Sequence, residues 1–166
     1  MTLVVLIGGA RSGKSSLAVE RAARTGQPVV FVATGEAGDE EMAARIEQHR
    51  RERPAHWSTV EEPVELGRAV AEAPGADVLV VDCLSLWVAN VLERGAVEDA
   101  AAEAARLAAA RPGLTIAVTN EVGLGIVPDN ELARHYRDAL GRVNAIWAAA
   151  ADEAYFVVAG RALRLE

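Results

Sequence analysis

The stretch Gly8-Gly9-Ala10-Arg11-Ser12-Gly13-Lys14-Ser15 satisfies the pattern G-x-x-x-x-G-K-[ST] at every fixed position. An apolar run, Leu3-Val4-Val5-Leu6-Ile7, precedes it, and a helix-forming run from Ser15 to Ala23 follows. A buried strand, a tight glycine turn and a helix in that order restrict the chain to a small set of α/β folds. Glycines at 8, 9 and 13 let the backbone curl so that its N–H groups converge, backed by the positive end of the helix. Such a nest binds phosphate, and the expected ligand is a nucleoside triphosphate. Lys14 then neutralises the β- and γ-phosphates, and the Ser15 hydroxyl is one ligand of a partly hydrated magnesium ion. A purely structural turn would give neither side chain a role.

Apolar, β-branched runs recur at 3–7, 28–32, 78–82, 114–119 and 154–158, with a short amphipathic run at 162–165. Helical patterns fall at 14–25, 39–53, 63–72, 84–93, 97–110 and 129–151, the last opened by Pro128 and Asp129. This alternation predicts a P-loop NTPase-type, doubly wound α/β fold, a mostly parallel sheet flanked by helices. At 166 residues it reads as a single domain, 1–166. Ligands of such sheets bind beyond the carboxyl ends of the strands, which is where the P-loop, Ala33-Thr34-Gly35 and Asp82 fall. Asp82 ends the run Val78-Leu79-Val80-Val81, as an acid carried to a magnesium ion does; the alternative is a strand-end carboxylate that caps the next helix. In the final helix Leu132, Tyr136, Leu140, Val143 and Trp147 share one stripe, expected to face the core or a neighbouring subunit.

The net charge of −7 argues against sequence-independent binding to nucleic acid. Within that acidic whole Arg45, Arg50, Arg51 and Arg53 form a small basic cluster suited to one phosphorylated ligand. A single cysteine, Cys83, allows no internal disulfide and fits a reducing compartment; it reads as a small buried side chain. With no leader-like segment and no apolar run of membrane-spanning length, the expectation is a cytoplasmic protein without stable membrane insertion.

Thr119-Asn120-Glu121-Val122-Gly123 occupies the place of the Asn-Lys-x-Asp base reader of guanine-binding switches, but Glu121 and Gly123 break that pattern. A GTPase switch is disfavoured. Met42, Ile46 and His49 share one helical face, so His49 points inward beside the arginines. Spacing alone leaves it either a satisfied core histidine or a catalytic group. His56, in a loop, and His135, on a helix flank, have weaker claims, and no zinc-site spacing is present.

Taken together, the P-loop, the Ala33-Thr34 turn, Glu41-Met42-Ala43-Ala44-Arg45-Ile46 leading to His49, Arg53-Pro54-Ala55-His56-Trp57, and Thr119 to Gly123 through Ile126-Val127-Pro128 closely resemble the bifunctional adenosylcobinamide kinase / adenosylcobinamide-phosphate guanylyltransferase family of cobalamin biosynthesis. The likeness runs from residue 3 to about residue 160. It implies phosphorylation of adenosylcobinamide by ATP or GTP, then transfer of GMP from GTP onto the new phosphate through a GMP-histidine intermediate at the position of His49. It also implies that Ala33, Thr34, Gly35, Arg50, Arg51, Glu52, Arg53 and Glu61 or Glu62 line the guanine nucleotide site, and that the protein is a homotrimer. Two departures stand out: Gln48 where relatives can carry a second histidine, and Asp82 where some carry glutamate. The rival readings are a P-loop kinase for another small alcohol and a nucleotide-binding regulator.

Overall fold

Strands with apolar residues on both faces can only sit between two helical layers. The computed structural model describes residues 2–38, 40–51 and 53–166; Met1, Asp39 and Glu52 lie outside it, as do the side chains of Glu41, Met42, Arg45 and His49. In chain order the elements are β1 (Thr2–Gly8), α1 (Lys14–Ala23), β2 (Val29–Ala33), α2 (Glu40–Arg51), β3 (Ser58–Glu61), α3 (Leu66–Glu72), β4 (Val78–Asp82), α4 (Leu84–Val91) with a 3-10 turn at Leu92–Arg94, α5 (Val97–Ala110), β5 (Leu114–Asn120), α6 (Glu131–Ala150), β6 (Glu153–Val158) and β7 (Arg161–Leu165).

The sheet order is β3-β2-β4-β5-β1-β6-β7, and every neighbouring pair is parallel except β6–β7. Alternation along the strands divides the core in two. Leu3, Val5 and Ile7 of β1 and Leu79 and Val81 of β4 pack with Leu66, Trp87, Leu140 and Trp147 of α3, α4 and α6. Val4, Leu6, Val80 and Phe31 face the other way, onto Ala18 and Ala22 of α1 and onto Trp57. The expected α/β architecture is therefore present, with helices on both faces.

Departures from the sequence expectations have local causes. β3 was not expected: Ser-Thr-Val-Glu is short, exposed and nearly without apolar residues, and it is held as an edge strand by its pairing with β2 from Val30↔Ser58 to Ala33↔Glu61. The last helix is capped by Asn130, whose side chain accepts the Ala133 N–H at 3.0 Å, not by Pro128 or Asp129. Leu140, Val143 and Trp147 are buried as expected, but Leu132, on the first turn of that helix, is 56% exposed. Arg111 is buried at the amino edge of the sheet, where its guanidinium donates to the carbonyls of Ala73, Pro74 and Asp77 at 2.8–2.9 Å.

Candidate active site at the carboxyl edge of the sheet

The P-loop leaves β1 in a space only glycine can occupy. A Cβ on Gly8 would lie 2.2 Å from the Val157 carbonyl oxygen of β6. Gly13 has φ +98°, and its Cβ would approach the Gly160 Cα to 3.3 Å. Gly160, in the β6–β7 turn, donates its N–H to the Ser12 carbonyl at 2.9 Å, so the hairpin braces the loop from outside. Arg11 takes a left-handed conformation with φ 56°, and Ala10 and Arg11 are exposed. Lys14 is buried, and its ammonium donates to the Gly9 carbonyl at 2.5 Å and to Ser12 Oγ at 3.3 Å. Burial lowers its pKa, with the Cys83 and Asp82 side chains opposing that shift.

Parallel pairing of β2 with β4 sets Ala33 opposite Asp82. Just beyond, Thr34 is wholly buried; its hydroxyl donates to the Cys83 carbonyl at 2.6 Å and accepts the Cys83 N–H at 2.9 Å. The Thr34 hydroxyl thus ties two strand ends together. Gly35 follows, where a Cβ would lie 3.2 Å from Leu86 Cδ1. Asn90 Nδ2 donates to the carbonyls of Thr34, at 2.8 Å, and Pro63, at 3.1 Å. Nothing in the sequence marks Asn90, whose partners come from two distant loops. Cys83 is buried as expected, and its thiol is pushed up to about 11 by burial and by the charge of Asp82, which keeps it protonated and unreactive near neutral pH.

A cavity of about 230 Å³ opens beside the P-loop helix, lined by Ser15, Ser16, Val19, Glu20, Phe31, Arg53 and Asp82. It brings together Ser15 and Asp82, expected on the metal side, with Arg53 from the basic cluster. The Arg53 guanidinium lies 3.7 Å from the centroid of the Phe31 ring. Burial lowers its pKa, an effect opposed by Asp82 and reinforced by Arg50. A hydroxyl and a carboxylate on one wall are a hard oxygen donor set that fits magnesium carried in on nucleotide phosphates and water. Among the described residues no group of three or more His, Cys, Asp or Glu side chains could hold a metal without such help.

The other expected residues separate into distinct surroundings. Arg50 of α2 forms an ion pair with Glu61 at the end of β3. Glu62 instead holds the turn that leads into α3: its carboxylate accepts the N–H groups of Val64 at 3.1 Å and Glu65 at 2.9 Å and pairs with Arg68 at 2.7 Å. Burial pulls its pKa upward, but those hydrogen bonds together outweigh it and hold the carboxyl below its usual range. Arg51 is solvated and pairs with Glu47 one helical turn back, at 3.1 Å. His49 lies within α2 and its side chain, like Glu52, is outside the described residues. His56 and His135 are exposed, and neither lines the cavity.

Comparison with known proteins places this geometry. Solved structures with the same fold include the flagellar accessory protein FlaH from Methanocaldococcus jannaschii, with a TM-score of 0.59 and 17% identity over 99% of this chain and 78% of that one. The RadB recombinase aligns with a TM-score of 0.56 and 15% identity over 93% of this chain and 73% of its own. Similarity in sequence is much higher to the bifunctional adenosylcobalamin biosynthesis protein CobP of Pseudomonas aeruginosa, 42% identical over 98% of this chain and 96% of the relative. CobU of Escherichia coli, described in the same words, is 41% identical over 99% of both chains. Residues 4–165 match the family model described as cobinamide kinase / cobinamide phosphate guanyltransferase. A complete P-loop, a strand-end acid and an arginine-flanked helix on one sheet edge, with near full-length similarity to these relatives, make the chain a member of the cobinamide kinase / cobinamide phosphate guanyltransferase family.

Proposed function

We propose that the protein phosphorylates the hydroxyl of adenosylcobinamide with ATP or GTP and then attaches GMP from GTP to the new phosphate, through a covalent adduct on His49. The observation that carries this reading is the shared cavity, in which Ser15 of the P-loop, Asp82 of β4 and Arg53 beyond the helix of His49 meet.

In the kinase step the substrate hydroxyl oxygen attacks the γ-phosphorus, the bond to the β-γ bridging oxygen breaks, and the hydroxyl proton leaves to solvent. Backbone N–H groups of residues 9–15 and the Lys14 ammonium hold the phosphates and meet the charge that develops on their oxygens. In the transfer step an imidazole nitrogen of His49 attacks the α-phosphorus of GTP and pyrophosphate leaves. A phosphate oxygen of adenosylcobinamide phosphate then attacks the same phosphorus, the N–P bond breaks, and the imidazole is restored. Arg50 and Arg53 offer charge-assisted hydrogen bonds to the phosphoryl oxygens, while Ala33, Thr34 and Gly35 shape the floor at the end of β2. Glu61, paired with Arg50, suits the guanine nucleotide site better than Glu62, whose oxygens are committed to the turn before α3 and to Arg68. Ser15 and Asp82 would hold magnesium, which when bound neutralises phosphate charge. We place the reaction in the cytoplasm and the protein in a homotrimer; no helix among the described residues is long and apolar enough to cross a membrane.

Incubation with α-labelled GTP and magnesium, then denaturation and intact-mass measurement, tests the reading. A covalent GMP adduct on the protein, discharged by adenosylcobinamide phosphate, is expected. Absence of an adduct alongside turnover of another small alcohol would replace it with a simple kinase, and nucleotide-dependent partner binding without corrinoid turnover would replace it with a regulator.

A further inference from the structure

A kinase of this family must bring a large acceptor to the open side of the P-loop, and the strand ends around that loop differ in what they offer. β4 leads directly into α4, whose Leu84, Ser85, Trp87 and Val88 are buried. β6 leads into the turn at Ala159 and Gly160 that closes onto Ser12. β5 behaves differently. It runs beside β1 with Asn120 opposite Gly8, and Glu121 donates its N–H to the Gly8 carbonyl at 3.0 Å. It then enters Val122-Gly123-Leu124-Gly125-Ile126-Val127-Pro128, seven residues without a charge.

Leu124, Ile126 and Val127 in this segment are 81%, 98% and 59% exposed. Contiguous apolar exposure of this kind marks a binding surface. The segment is fixed at both ends: Glu121 is tied to Gly8, and Arg134 donates to the carbonyls of Pro128 at 2.9 Å and Asp129 at 2.6 Å. A second feature adjoins it. A shallow, solvent-open depression on the surface is lined by Gly123 of the loop and by Arg137, Asp138, Gly141, Arg142 and Ala145 of α6. Arg137 pairs with Asp138 at 3.0 Å and Arg142 with Glu98 at 2.5 Å, yet each guanidinium has five N–H donors and keeps some to spare.

We infer that the 122–127 loop and the adjoining face of α6 form the docking surface for the corrin macrocycle of the acceptor. The inference rests on the proposed kinase and GMP-transfer activity. A corrin presents methyl-bearing apolar faces and a rim of amide side chains. The apolar loop matches the faces, Arg137, Asp138 and Arg142 match the amides, and glycine at 141 leaves the helix surface open to a flat ring. Continuity with the P-loop, through the Glu121 N–H donated to the Gly8 carbonyl at 3.0 Å, favours this occupant over a second copy of the chain.

Two variants test it: Leu124→Ser with Ile126→Ser, which strips the apolar contacts, and Gly141→Leu, which places a bulky side chain in the depression. A Cβ at Gly141 meets nothing within 4 Å, and leucine is the better helix former, so the second variant should fold. Calorimetric titration with adenosylcobinamide should show Kd raised about tenfold or more in both variants, with a matching rise in KM for the corrinoid. KM for ATP and the yield of GMP adduct from GTP alone should stay at wild-type values. In the wild-type protein, adenosylcobinamide should also protect the 121–127 amides from hydrogen exchange. Wild-type corrinoid affinity in Gly141→Leu, or no protection of those amides, overturns the inference. So does a change of particle mass by light scattering with corrinoid KM unaltered, which would make this face a subunit contact. Failure of the wild-type protein to bind adenosylcobinamide at all would instead count against the activity on which the inference rests.

Discussion

The guanidinium of Arg53 stacks 3.7 Å from the Phe31 ring centroid, with Nε and Nη1 buried and without hydrogen-bond partners among the described residues. Arginine stays protonated even under desolvation, so the stack holds a charged, planar fork at the wall of the cavity that also contains Ser15 and Asp82. Unpaired buried donors cost free energy, and an arriving phosphate would satisfy them.

Arg53→Ala should therefore weaken GTP binding by about tenfold to a hundredfold, the value of a charged hydrogen bond. Thermal stability should stay level or rise, since the buried unpaired donors go with the side chain. Arg53→Lys should recover little, because an ammonium neither stacks on Phe31 as a plane nor offers the fork. Titration of each variant with GTP decides the matter, and undiminished affinity in Arg53→Ala would show the stack to be structural.

Lys14→Ala should lower the rate of both half-reactions by roughly 10²–10³-fold, in line with removal of one preorganised charge-stabilising donor. Among the described residues the hydrogen bonds of the ammonium go to Gly9 and Ser12 of the loop itself, so the melting temperature should barely move. Rate measurement with each nucleotide, beside a thermal melt, separates loss of chemistry from loss of fold.

For His49→Ala the expected outcome is loss of the GMP adduct and of guanylyl transfer, with substantial kinase activity retained. Phosphorylating a hydroxyl requires no covalent intermediate on the protein. The wild-type adduct should survive alkali and decay in acid, since protonating the phosphoramidate nitrogen makes imidazole a good leaving group. Peptide mapping that finds the label on His56 or His135 would reassign the nucleophile.

Tyr136 donates its hydroxyl to the Ser85 carbonyl at 3.1 Å, and its pKa is pushed up to about 12, first by burial and second by neighbouring Cys83. An unfolded tyrosine ionises near 10. Between these values the unfolded chain releases a proton that the folded one keeps, so this contribution to stability is complete below pH 10 and is lost as pH rises toward 12. The slope is at most about 1.4 kcal/mol per pH unit, less the solvent screening of a ring that is only partly buried. Tyr136→Phe should remove that slope and cost about 0.5–1.5 kcal/mol below pH 10 for the lost hydrogen bond. Urea denaturation at a series of alkaline pH values reads both effects.

Much of the fold was legible because its signals are local. Six of the seven strands, among them β1, β4 and β5, announce themselves as apolar or amphipathic runs, and glycines at fixed offsets announce the loop. β3 was not legible, because Ser58–Glu61 has no such run and becomes a strand only by pairing with β2. Within the candidate site, sequence left Glu61 and Glu62 equivalent, yet one meets Arg50 and the other holds the turn into α3. Thr34 was expected to line the nucleotide site, and its hydroxyl is bound to the Cys83 backbone 49 residues away.

The sequence by itself determined the phosphate-binding loop, the acid that ends β4, the two-layered core and the family, since each is written in neighbouring residues or in a period along one element. Only the tertiary structure decided that Arg53 stacks on Phe31, that the β6–β7 turn braces Ser12 and that β5 delivers an apolar loop beside Gly8. Those relations depend on strand order and register, which bring together segments with no local signal of each other, and the hydrogen-bond partners of buried groups are fixed only when the sheet is assembled.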